Sequence, residues 1–542
     1  MNAVSQLGRT ALFLAAMSDR SAGIVRLLIT QGANLKAIDG AKMTMLHAAT
    51  FGNDTETIRI FSDSGLDVNA ADFTGTTPLM NAAMQGNLTA VKMLLAKGAN
   101  VNAVSGDGSY QKVKAGTIAL GNFTPLLLAA SFGPAEVVNA LLGAGASVNV
   151  RDIRGMTPLM LAVATDRQNP GIIRTLLAKG ADVNMKSLAG ETALDWARKV
   201  GQAPGIDILK RAGAVETAPI TIPVPASAPV ALRPSIERSV KLLETTSAGF
   251  LRNGGCASCH AQNITDLATS VARLKGVPVD ATAMSRRQNV TAVQFAAGPM
   301  LLERMDLPGT PDAPLYALAA LADTGYAPDR LTDVATANIA ASQLSDGRWG
   351  LGGIARPPIE DGDIFRTALG IRALKVYGPP GRASDFNERI MRAVNWLTAV
   401  KPTTAADRNM KLLGLHWANA GQALKQRLAR DILATQRADG GWGQTPDLPS
   451  DAHATGQSLY ALVTGGGMSP ANAAFQKGVQ YLLATQRADG SWYVRSRAPK
   501  FQPYFESGFP YGSDQWISSM ATGWATTALA LALEKPAAGQ LQ

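Results

Sequence analysis

Apolar and polar positions along the first two hundred residues recur in a long repeat, not in the 3.6-residue period of one extended helix. A short apolar block opening on threonine appears as Thr10-Ala11-Leu12-Phe13-Leu14-Ala15-Ala16, Thr44-Met45-Leu46-His47-Ala48-Ala49, Thr77-Pro78-Leu79-Met80-Asn81-Ala82-Ala83, Thr124-Pro125-Leu126-Leu127-Leu128-Ala129-Ala130, Thr157-Pro158-Leu159-Met160-Leu161-Ala162 and Thr192-Ala193-Leu194-Asp195-Trp196-Ala197. The spacings are 34, 33, 47, 33 and 35 residues. Most copies are followed by a Val-x-x-Leu-Leu block and a polar turn, as in Leu94-Leu95-Ala96-Lys97-Gly98-Ala99-Asn100-Val101-Asn102. The pattern predicts paired short helices: Thr-Pro opens the first, small Ala lets the pair approach, and Gly permits the reversal. Each pair buries its apolar face only against its neighbours.

The longest spacing implies an insertion of 14 residues, placed within residues 103–122, Ala103 to Asn122, around Gly106-Asp107-Gly108-Ser109-Tyr110. Insertions of this kind map to loops, often on a binding side. Over residues 1–215 the chain resembles the ankyrin repeat, which implies a solenoid that binds a protein partner. His47 sits where ankyrin repeats commonly carry a histidine that ties neighbouring turns, so a structural role is expected for it. Residues 216–234, with Ala218-Pro219-Ile220-Thr221-Ile222-Pro223-Val224-Pro225 and Pro229, read as an extended spacer that cannot sustain a helix.

A second repeat fills the rest of the chain. Leu433-Ala434-Thr435-Gln436-Arg437-Ala438-Asp439-Gly440-Gly441-Trp442 returns 50 residues later as Leu483-Ala484-Thr485-Gln486-Arg487-Ala488-Asp489-Gly490-Ser491-Trp492. Gln343-Leu344-Ser345-Asp346-Gly347-Arg348-Trp349-Gly350 is a third copy, and Trp396-Leu397-Thr398-Ala399-Val400-Lys401 is a degenerate fourth that lacks the Gln and the aromatic turn. A helix follows each turn, as in Ala454-Thr455-Gly456-Gln457-Ser458-Leu459 and Ala521-Thr522-Gly523-Trp524-Ala525. Asp-Gly supplies the reversal, while Gln and Trp can tie adjacent turns by hydrogen bonding and stacking.

This unit resembles the repeat of the squalene cyclase and protein prenyltransferase superfamily over residues 235–542, which implies an α/α toroid with inner and outer rings of helices. The expected fold is therefore all-α, an ankyrin-repeat solenoid followed by an α/α toroid. The resemblance implies a lipid or isoprenoid ligand in the toroid, with Asp451, His453 and Asp363 as the polar residues expected at its cavity. Cyclases of that superfamily use an Asp-x-Asp-Asp acid and prenyltransferases a zinc with a cysteine ligand. The first motif is absent from this sequence, and no cysteine follows Cys259. Asp451 reads more simply as a helix cap.

Composition narrows the field further. The chain of 542 residues is 46% hydrophobic, as folded proteins are, and 17% charged, below the usual value of about 25%. Its net charge of +10 is spread without basic runs or interleaved aromatics, so no nucleic-acid partner is expected. No apolar stretch reaches the length of a transmembrane segment. Arg9 to Ala16 could pass for a short signal peptide core, but the repeat accounts for it, and no signal peptide is visible.

The strongest chemical signal is Gly254-Gly255-Cys256-Ala257-Ser258-Cys259-His260-Ala261-Gln262-Asn263, which holds both cysteines and one of four histidines. Random placement of those residues would produce Cys-x-x-Cys-His on the order of once in 40,000 chains. The spacing suits covalent haem: each thiol adds across a vinyl group, and the adjacent histidine reaches the iron. Gly254 and Gly255 allow close approach of a flat cofactor. The motif resembles the haem-attachment site of c-type cytochromes, which implies one haem c on Cys256 and Cys259, with His260 as proximal iron ligand.

Met300 and Met305, then Met284, are candidates for the distal ligand; His416 and His453 remain open for that place. A redox dithiol, a structural zinc and a plain disulfide also remain open. The attachment is expected at the start of a toroid helix. The expected function is electron transfer or redox sensing with an unspecified redox partner; the alternative is a non-haem binding scaffold or terpenoid-type enzyme. Haem attachment implies a periplasmic or exported protein, and without it a cytoplasmic one is expected.

Overall fold

The computed structural model describes residues 2–534 except 19–20, 110–111, 168, 202, 217–230, 255–259, 297, 299–300, 302–310, 351–355 and 361; for 260–262 it describes the backbone alone. The chain divides into two units, one of Met1–Ala218 with Ala355–Pro357 and Arg497–Pro503, the other of the remainder.

The first unit contains six helix pairs: α1 (Ala11–Ala16) and α2 (Ala22–Thr30), α3 (Met45–Gly52) and α4 (Thr55–Ser62), α5 (Pro78–Gln85) and α6 (Leu88–Ala96), α7 (Pro125–Phe132) and α8 (Ala135–Gly143), α9 (Pro158–Val163) and α10 (Pro170–Ala178), α11 (Ala193–Val200) and α12 (Ala203–Arg211). Helices of 6 to 9 residues have no stability alone and stand only by packing on the next pair. The repeated threonine sets each start: Thr10, Thr44, Thr77, Thr124, Thr157 and Thr192 accept a backbone N–H from the third helical residue. Pro is the first residue of α5, α7 and α9, where its missing N–H costs nothing.

The Asn of the Gly-Ala-x-Val-Asn turn links one repeat to the next. Asn69 donates to Gly98 O at 3.1 Å and accepts from Asn100 N at 2.7 Å. Asn102, Asn149 and Asn184 repeat the pair with Gly145 and Ser147, Gly180 and Asp182, and Gly213 and Val215. His47 is structural as expected: Nε2 donates to Thr76 O at 2.9 Å and Nδ1 accepts from Thr44 N at 3.2 Å, which fixes the neutral tautomer. Burial lowers its pKa further.

The insertion is more ordered than a loop. It forms an antiparallel hairpin of β1 (Lys112–Val113) and β2 (Gly116–Thr117), and the chain beside it closes so tightly that a Cβ on Gly108 would lie 1.9 Å from Leu120 O. Arg497–Pro503, distant in sequence, belongs to this same unit. Buried Arg497 holds Asp166 through two hydrogen bonds of 2.5 and 2.9 Å, and Phe501 O accepts from Ala119 N at 2.7 Å.

The second unit contains twelve helices among the described residues: α13 (Leu232–Gly249), α14 (His260–Leu274), α15 (Ala281–Val293), α16 (Asp312–Asp323), α17 (Arg330–Ala341), α18 (Asp363–Tyr377), α19 (Ala383–Ala399), α20 (Ala405–Trp417), α21 (Gln422–Leu433), α22 (Ala452–Thr464), α23 (Ala473–Thr485) and α24 (Gln515–Ala532). The even-numbered helices pack each on the next, and α24 packs back on α14, which closes an inner ring. Every odd-numbered helix lies against two successive inner ones and forms an outer ring. α13 starts inside the stretch expected to be spacer, because Pro234 falls in the first turn, where a helix tolerates it.

The Gln-x-x-Asp-Gly-x-Trp turns join outer helices to inner ones by one repeated bond set. Trp349, Trp442 and Trp492, all fully buried, donate from Nε1 to Ile339 O, Ile432 O and Leu482 O at 2.7, 2.9 and 2.9 Å. Their backbone N–H groups donate to Thr367, Thr455 and Thr522 of the following inner helices. Gln343 Nε2 donates to Gly347 O and Arg389 O, Gln436 to Gly440 O and Ala474 O, and Gln486 to Gly490 O and Ser235 O. The last bond runs from the end of the ring to its beginning. In the degenerate copy a different device serves: Lys411 Nζ of α20 donates to Thr398 O and Val400 O at 3.1 and 2.7 Å.

Glycines bring the inner helices together. A Cβ on Gly523 of α24 would lie 2.4 Å from Ile264 of α14, and one on Gly456 of α22 would lie 2.5 Å from the backbone of Trp524. Among the described residues no helix is long and apolar enough to cross a membrane.

Candidate functional site

The connection from α13 into α14 carries the cysteine motif. α13 runs into one π-helical turn, Phe250–Gly254, and α14 spans His260–Leu274. Cys256 and Cys259 lie outside the described residues, as do Met300 and Met305. A Cβ on Gly254 would lie 2.5 Å from the Phe505 ring, which itself meets Phe250 edge-on at 5.7 Å, so the glycine makes room for that ring. Asn253 adds a hydrogen bond to Glu506 O.

Asp266, two turns into α14, forms a buried ion pair of 2.6 Å with Arg287 of α15. Burial pushes its carboxyl up to about 6, against the opposing pull of Arg287. Met284 lies buried on α15, in the outer ring.

The polar residues expected at the toroid cavity are placed elsewhere. Asp451 caps α22, its carboxylate accepting from Ala454 N at 2.9 Å, as the cap reading anticipates. Asp363, first residue of α18, pairs with Arg348 at 3.1 Å and reaches buried Arg366 at 3.8 Å. His453 is buried in the first turn of α22. His416 is half-buried near the end of α20, and burial lowers its pKa. Among the described residues no three His, Cys, Asp or Glu side chains cluster as a metal site.

A cavity does lie within the inner ring, and all six inner helices contribute to it. Its aromatic lining is Tyr316, Phe365, Trp417, Tyr460 and Trp524, with Ile264, Leu267, Leu369, Met410 and Met520 between them. The charged members are Asp323 and Arg372, paired at 2.5 Å, with Arg372 stacked over Trp417 at 4.9 Å. Burial raises the pKa of Asp323 and, with that carboxylate nearby, pushes Tyr460 up to about 12. Asp451, His453 and Asp363 are not among the residues that line it, although Phe365, two residues past Asp363, is. Sequence reading missed Asp323 and Arg372 because nothing local marks them: they lie 49 residues apart, inside helices that are apolar nearly all round.

Comparison with known families agrees with the first unit. A model of ankyrin repeats in three copies matches residues 12–105 and 115–217, and one of ankyrin repeats in many copies matches residues 79–138. No curated protein matches the chain. The gap between the two matched stretches falls on the hairpin insertion. With the threonine caps and the Asn links between successive turns, these matches establish the N-terminal region as an array of ankyrin repeats, which suggests a protein-interaction module.

Proposed function

We propose that this chain is a haem c-binding protein of electron transfer or redox sensing whose ankyrin repeats select its protein partner. The observation that carries the reading is the position of Cys-x-x-Cys-His. It falls in the connection from an outer helix into an inner one, where three other connections carry the Gln-x-x-Asp-Gly-x-Trp tie, and His260 opens the inner helix. The donor set fits the group: two thiols two residues apart and an adjacent imidazole match c-type attachment. Cys256 and Cys259 would hold the haem, His260 would bind the iron, and Met284, Met300 or Met305 would be candidates for the opposite face. When bound, the group supplies one-electron transfer. The reading carries an exported, periplasmic location with it.

The closed double ring supports kinship of the second unit with the squalene cyclase and prenyltransferase fold. A terpenoid reaction finds less support, since the acid motif and a ring cysteine are both missing from the sequence. Expression with an export signal and a haem maturation system tests the proposal. Haem retained through denaturing electrophoresis, and lost in Cys256→Ala and Cys259→Ala, supports it. No retained haem, or retention in both variants, overturns it; polyprenyl turnover without haem would promote the enzyme reading.

A further inference from the structure

The walls of the cavity in the inner ring specify what would fill it. We propose that it is a binding site for a neutral, flat, ring-bearing molecule with one hydrogen-bond-accepting oxygen. The inference does not depend on the haem reading.

Three observations carry it. Aromatic side chains from five inner helices line the space, among them Tyr316 with Phe365 at 5.5 Å and Tyr460 with Trp524 at 5.6 Å, both pairs tilted. Such rings favour a flat partner offered in offset or edge-on contact. Next, the only charges in the lining neutralise each other: Asp323 holds Arg372 at 2.5 Å. A charged ligand would be desolvated there without a counter-ion, which selects a neutral one. Last, Trp524 is 6% exposed, lines the cavity, and its indole N–H has no acceptor among the described residues. Buried donors are nearly always paired, so an oxygen of the occupant is the partner this group lacks.

The probe is prodan, a neutral naphthalene ketone whose emission shifts to the blue in apolar sites, titrated into the full chain. Its carbonyl-free parent, 2-dimethylaminonaphthalene, isolates the oxygen. Farnesol stands for a flexible isoprenoid and anilinonaphthalene sulfonate for an anion. The proposal expects saturable prodan binding, about tenfold weaker in Trp524→Phe, with the parent compound unaffected by that change. Ala320→Phe and Leu369→Phe, each filling the cavity, are expected to abolish binding of both; circular dichroism and thermal melting identify whichever of them folds. No saturable binding, binding unchanged in a folded cavity-filling variant, an equal loss of both probes in Trp524→Phe, or tighter binding of farnesol or the anion would overturn it.

Discussion

The two units solve the same problem with opposite boundary conditions. In the ankyrin array every link of this kind, Asn69 to Gly98 and its successors, reaches only the next repeat. In the ring the same kind of link returns to its origin: Gln486 bonds Ser235, 251 residues earlier. An open array is stabilised as a sum of neighbours, whereas a closed one has no terminal repeat from which to fray. The difference predicts local, graded failure in the first unit and collective failure in the second.

The severest test of that contrast is Trp442→Ala. It leaves a large void and an unpaired Ile432 carbonyl, so a loss of about 3–5 kcal/mol is expected, with all ring helices melting together in hydrogen exchange. Protection lost only around α21 and α22 would break the comparison.

A pH titration reaches the ring through Asp266. The Asp266 carboxyl is raised in the fold from 3.8 to about 6, so the folded chain holds its proton more tightly than the unfolded one. The stabilisation is complete below the unfolded value and is lost as pH rises through 6, a change of about 3 kcal/mol for this buried group. Chemical denaturation between pH 4 and 7 is expected to show that decline, and Asp266→Asn to flatten it.

Gln486→Ala opens the closure and strands buried Ser235 and Gly490 groups, which predicts a loss of about 1–3 kcal/mol spread over the whole ring. Asn149→Ala cuts the equivalent link in the array, from Asn149 to Gly180 O and Asp182 N. A smaller loss of about 1 kcal/mol is expected there, confined by hydrogen exchange to α7 through α10. Equal reach of the two substitutions would remove the distinction.

What was legible in the sequence is what is decided within a few residues. Thr-Pro-Leu, Gly-Ala-x-Val-Asn and Gln-x-x-Asp-Gly-x-Trp encode caps and turns whose donors and acceptors are nearby, and the structure uses them as read. Lys411 was opaque because its role depends on the degeneracy of a turn ten residues before it. Phe505 against Gly254, Arg497 with Asp166 and the Asp323–Arg372 pair each join residues far apart in the chain, and no periodicity announces them. The cavity was misjudged for the same reason: helix starts are visible in sequence, but which turn of a helix faces a shared centre is not.

The bond from Gln486 to Ser235 also restricts how such a protein can change over evolutionary time. A linear array can gain or lose a unit by duplication and still present intact surfaces at both ends. A circle with six members admits no seventh without reshaping every angle between them, so its count is fixed while its connecting segments are free to vary. New chemistry can enter there without disturbing the frame, and the segment ahead of His260 is where this chain departs most from its own pattern.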